Sequence, residues 1–126
     1  MNPLLAFAFT GLLGALAVLQ LLLLAGMPLG RFAWGGQNDR LSPRLRVAAG
    51  VSIVIYGVFA AVALARAHVI STPIPTLVTI VAMWAITAYL FFSVLPNLAS
   101  KSRHERLLMT PVSAVLAILA LLIALF

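Results

Sequence analysis

The chain has 126 residues, 64% of them apolar and 8% charged, with a formal net charge of +6. Its ten formal charges fall in three places, five within residues 31–46, Arg66 alone, and four within 101–106. The charge-free runs of 30, 19, 34 and 20 residues around them exclude a soluble domain, which would carry about 25% charged residues and could not hide four such runs in one small core.

At about 1.5 Å per residue each run is long enough to cross a hydrocarbon layer of ~30 Å. The predicted spans are about 4–27, 46–66, 74–96 and 107–126. Backbone groups at membrane depth must bond within their own segment, and the spans are too long and evenly apolar for barrel strands. The expected fold is therefore all-α, one transmembrane four-helix bundle over residues 1–126, built from two antiparallel hairpins. The first span is expected to be retained rather than to act as a secretory signal, because it lacks a basic start and Gly26-Met27-Pro28-Leu29-Gly30 is not a small-x-small cleavage site.

Hydroxyl-proline pairs supply helix starts, since the side-chain oxygen caps the first turn and proline presets the first helical residue. Ser42-Pro43 is expected to open helix 2 and Thr72-Pro73 helix 3. For helix 4, Thr110-Pro111 competes with the capping box Ser102-Arg103-His104-Glu105. The earlier start, near Arg103 with a bend at Pro111, leaves enough residues to span.

Orientation follows from the short loops. Arg31, Arg40, Arg44 and Arg46 belong to the first connection and Lys101, Arg103 and Arg106 to the third, while only Arg66, next to His68, belongs to the second. The bias places the two basic loops in the cytoplasm and both termini outside, with dual topology as the competing arrangement. Small residues mark packing faces in lipid. Helix 4 offers Ser113, Ala117, Ala120 and Ala124, helix 2 Gly50, Gly57 and Ala61, and helix 1 Gly11, Ala15 and Ala25. These strips suit packing within the chain, or a homodimer seam if one points outward.

No Asp, Glu, Lys or Arg lies inside any span, which argues against a proton relay or a coupling site. In length and span number the chain is similar to the small multidrug resistance transporters. Those depend on a glutamate in the first helix, where this chain has only Gln20, which cannot carry a proton. The four-span fluoride channels are of similar size, but their glycine-and-arginine signature and paired phenylalanines are not found here. Gln20 needs a partner at membrane depth, and Ser52, Tyr89 and Ser93 lie at comparable depth. Two readings of this cluster stand: interhelical hydrogen bonding, or the floor of a small cavity open to the cytoplasm. Tyr56 and Trp84, near mid-span, are expected to face the bundle.

The first loop joins Arg31, Trp34, Gly35, Gly36 and Arg40, in which consecutive backbone N–H groups and guanidiniums suit an anion. With Arg44, Arg46, Lys101, Arg103 and Arg106 it forms a basic rim for anionic lipid headgroups or an acidic partner. Basic residues flanking inner helix ends would also account for it. The stretches Leu29-Gly30-Arg31-Phe32-Ala33-Trp34-Gly35-Gly36, Leu41-Ser42-Pro43-Arg44-Leu45-Arg46, and Ser100-Lys101-Ser102-Arg103-His104-Glu105-Arg106 with Met109-Thr110-Pro111 resemble a group of small bacterial four-span membrane proteins described only as uncharacterised. That resemblance implies a bacterial inner membrane and carries no activity, catalytic residue or cofactor.

With no cysteine and no His/Asp/Glu set at metal-ligand spacing, no cofactor, metal or catalytic site is read. The expected role is a non-catalytic membrane protein that binds lipid or a larger membrane partner through the basic rim, with no nucleic-acid partner. A homo-oligomeric transporter or channel around Gln20 is the alternative. A lipid-phosphate enzyme using Asp39 and Glu105 with the loop arginines comes next.

Overall fold

The computed structural model describes residues 3–32 and 40–126, with the backbone alone for Arg31. Four α-helices, α1 (Pro3–Leu24), α2 (Pro43–Arg66), α3 (Thr76–Leu98) and α4 (Arg103–Leu125), are joined by loops, the first of which holds a short 3-10 turn at Gly30–Phe32. All four are long and apolar enough to cross a membrane. α1 with α2 and α3 with α4 form two antiparallel hairpins, which meet along α1–α4 and α2–α3. The first and third connections therefore share one end, the basic end, and Arg66 lies at the other, where its Nη2 donates to the Ala124 carbonyl at 3.5 Å.

Two helix starts match the capping chemistry. Ser42 caps α2, its hydroxyl accepting from the Leu45 N–H at 3.5 Å, with Pro43 opening the helix. Ser102 caps α4 by accepting from the Glu105 N–H at 3.3 Å, so Pro111 lies inside the helix. The third start differs from the sequence expectation. Helix α3 begins at Thr76 after Pro75, and Thr72 instead accepts from the Ile74 N–H at 3.3 Å in a local turn. The reason is Pro75, which pushes Ile74 out of the helical region and so prevents a helix from running on from Pro73.

The hairpin sides of α1 and α2 end alike. After α1, Gly26 has φ +94°, its N–H donates to the Leu23 carbonyl and the Met27 N–H to the Leu22 carbonyl. After α2, His68 has φ 59°, with His68 N–H on Ala65 and Val69 N–H on Leu64. Each is a Schellman turn, whose left-handed residue lets the chain turn back and cover two of the last carbonyls. Glycine meets that demand at 26, whereas histidine at 68 carries a steric cost.

Packing is uneven along the bundle axis. The main core joins Phe9 and Leu13 of α1, Ala63 of α2, Met83 and Ile86 of α3, and Leu116 to Ala124 of α4, and it fills the half nearer Arg66. Ser113, Ala117, Ala120 and Ala124 are all buried, so the small strip of α4 lets its neighbours approach closely. Near the basic end a smaller cluster of Leu23, Leu41 and Ala49, with Leu19, Leu29 and Leu45 against it, ties α2 to α1 alone.

Two packing expectations fail. Gly11 and Ala15 on α1, Ala25 just past it, and Gly57 and Ala61 on α2 are exposed, because the buried faces of the two helices run through Ala6, Phe9, Leu13 and Leu23, and through Ala49 and Ala63, instead. Trp84 is 43% exposed. The buried face of α3 runs through Thr79, Met83, Ile86, Thr87 and Leu90, and Trp84 stands off it.

A leucine at Ala117, which is fully buried, should lower stability by about 1–3 kcal/mol, while Gly57→Leu, with open space at its Cβ, should not. Thermal unfolding in a mild detergent, followed by circular dichroism, checks both. In the same assay His68→Gly should gain about 1 kcal/mol. Gly26→Ala should lose about 1–2 kcal/mol, since its new Cβ would also lie 2.7 Å from Arg46 Nη2.

Candidate functional site

Where α2 follows α1 away from α3, the basic half of the bundle stays open. A cavity of about 480 Å³ occupies it, lined by all four helices and by Phe32. Its floor is formed by Leu16, Tyr56 and Leu116, beyond which lies the apolar core, so the cavity ends blind. On α3 its wall includes Tyr89 and Pro96, both exposed, whereas on α1 it includes the buried Gln20. Its open side therefore lies between the first half of α2 and the second half of α3. A second, apolar hollow of about 280 Å³ separates α1 from α4 at the same level, with Phe32, Leu16, Met109 and Val112 between the two.

Gln20, Ser52, Tyr89 and Ser93, singled out by depth, all line the larger cavity. They do not bond one another in a ring. The Ser52 hydroxyl donates to Ala48 O at 3.0 Å and the Ser93 hydroxyl to Leu90 O at 2.6 Å, both within their own helices. Small hydroxyl side chains in helices often satisfy themselves in this way. Tyr89 packs edge-on against Phe59, ring centroids 5.7 Å apart. Gln20 is 7% exposed, and its Oε1 has no partner among the described residues.

Several lining residues went unassigned to this cluster. Ser113 donates to Thr110 O at 3.0 Å, and the Asn97 amide nitrogen donates to Ser93 O at 3.1 Å. Ser100 and the buried Glu105 line the basic end. The available signal was depth: Ser113 stands ten residues into α4 and Ser52 nine into α2, so equal rise along parallel members of the bundle brings them level. Tyr56 faces the cavity, in keeping with the expectation that it turns inward.

The basic rim divides into two kinds of cation. Arg40, Arg44, Lys101 and Arg103 are exposed. Arg46 and Arg106 are half-buried and face helix ends: Arg46 lies over Gly26 at the carboxyl end of α1, and Arg106 Nη1 donates to Ser100 O at 3.2 Å just past α3. A guanidinium there opposes the negative end of the helix dipole. His104 meets Phe32 edge-on at 5.6 Å, beside the cavity. The side chain of Arg31, and Trp34, Gly35, Gly36 and Asp39, lie outside the described residues.

No family model, curated protein or solved structure matches the chain.

Replacing Arg46 or Arg106 with Met should lower the detergent melting temperature by an amount equivalent to about 1 kcal/mol. Arg44→Gln and Arg103→Gln, at exposed positions, should leave it unchanged.

Proposed function

We propose that this chain is a membrane-embedded binding protein without a reaction of its own, which holds a lipid at its basic end. In this reading the basic end faces the cytoplasm of a bacterial inner membrane and both termini lie outside. The observation that carries it is the blind cavity: a recess with polar side chains set in a largely apolar lining, which opens sideways toward the bilayer and stops at a packed apolar half. A continuous pore would need that half to part, which makes holding a ligand the simpler use of the shape. The exposed cations Arg40, Arg44, Lys101 and Arg103 would draw anionic lipids to the rim, at about 1 kcal/mol per nearby side chain.

The test is native mass spectrometry of the full chain released from vesicles of mixed phosphatidylglycerol and phosphatidylcholine. At least one lipid per chain should survive release. Changing all four exposed cations to Gln should reduce the share of the anionic lipid among those retained. A chain released bare from every mixture would reject the reading.

A further inference from the structure

We propose that the cavity receives the uncharged, hydroxyl-bearing head of a lipid, which enters between α2 and α3 while its chains stay in the bilayer. This rests on the lipid-binding reading above and specifies the part of the lipid that the cavity reads. The wall is rich in acceptors. The protons of the Ser52, Ser93 and Ser113 hydroxyls are given to their own helices, so each oxygen offers only lone pairs inward. Asn97 gives its amide nitrogen to Ser93 O and keeps its carbonyl oxygen for another partner. Gln20 adds the strongest demand, a side chain more than nine-tenths buried on the cavity wall whose Oε1 has no partner among the described residues. A terminal amide turns easily about its last torsion, which brings that oxygen to the lumen. A ligand that satisfies this wall must bring hydrogen-bond donors to these acceptors, and it can also accept from the Tyr56 and Tyr89 hydroxyls on the same wall.

Charge narrows the class. Among the described residues the wall holds one ionisable acid, Glu105 at the basic end, and no cation. A phosphate or carboxylate would meet no cation on the wall, and an ammonium would exchange its water for a wall on which Glu105 is the one carboxylate among the described residues. A hydroxyl donates to the wall with little desolvation cost. Depth agrees: Gln20 lies four residues before the end of α1 and Ser93 five before the end of α3, about 6–8 Å inside the helix ends. This is a level that a lipid reaches sideways, through the side where Tyr89 and Pro96 are exposed.

Such a head has two sources. In a diacylglycerol the hydroxyl sits directly on the glycerol, and in phosphatidylglycerol it lies beyond a phosphate that would remain at the exposed cations. Native mass spectrometry of the full chain, loaded in detergent with dioleoyl forms of diacylglycerol, phosphatidylglycerol, phosphatidylcholine and phosphatidylserine, distinguishes them. At least one of the hydroxyl-ended lipids should be retained about tenfold over phosphatidylcholine, as expected for one or two added hydrogen bonds. Phosphatidylserine, which has the charge of phosphatidylglycerol without its hydroxyls, should not be. Retention of diacylglycerol alone supports a head without phosphate, and retention of phosphatidylglycerol alone supports a phosphate at the rim.

Gln20→Leu should remove the preference. If that variant fails to fold, the double variant Ser52→Ala with Ser113→Ala, which keeps the amide and deletes two acceptors, should reduce the preference about tenfold. Equal retention of all four lipids, unchanged by either variant, overturns the hydroxyl assignment while leaving the lipid-binding reading standing. Preference for phosphatidylserine also overturns it. Loss of every lipid overturns both.

Discussion

The last carbonyls of a helix have no partner within it, and near a membrane that deficit weighs more because water is scarce. This chain sets arginines from neighbouring elements at or near three of its helix ends, one of them donating to a last-turn carbonyl. Arg46 of α2 lies at the end of α1, Arg106 of α4 binds the Ser100 carbonyl beyond α3, and Arg66 of α2 donates to the Ala124 carbonyl of α4. At the basic end the first two tie each hairpin to itself. At the opposite end the third ties one hairpin to the other. The Schellman turns at Gly26 and His68 complete the closure by covering further carbonyls from the backbone. Register along the bundle axis thus depends on where helices end as much as on side-chain interdigitation.

The consequence is a bundle of two unlike halves. Near Arg66 the hairpins meet over Phe9, Leu13, Met83, Leu116 and Ile123, with the small residues of α4 allowing close approach. Near the basic end α2 is held to α1 by Leu23, Leu41 and Ala49 and cannot also close on α3. The polar side chains gather in the space this leaves, and the Ser52, Ser93 and Ser113 hydroxyls among them bond backward into their own helices. That local satisfaction has a cost in cohesion, because Ser52 and Ser93 do not hold the helices together. It also has a use, since the three serine oxygens keep lone pairs for whatever occupies the recess.

The division of the cations follows the same logic. Guanidiniums that face helix ends are structural, and those in the exposed set remain available to headgroups or to a partner. A count of positive loop residues treats these as equivalent. Their burial and partners separate them, so a rim that reads as seven like charges in the sequence acts as a structural pair, an exposed set, and Arg31, whose side chain is not described.

Much of the architecture was legible because membrane depth constrains a chain so strongly. Four charge-free runs impose four helices, Ser42-Pro43 and Ser102 mark two starts, and counting rise along each helix places Gln20, Ser52, Tyr89 and Ser93 at one level. The start of α3 was also legible in principle, since Pro75 forbids a helical Ile74. Helix faces were not. Small-residue spacing is the same whether a strip points inward, as on α4, or outward, as on α1 and α2, and nothing in the order of residues says which neighbour a helix will choose. The sequence by itself determined the number of spans, their depth and the absence of charge within them, because transfer into hydrocarbon acts on each segment alone. Only the tertiary structure decided that the polar residues surround a cavity rather than bond to one another, because that depends on α2 packing against α1 and leaving α3.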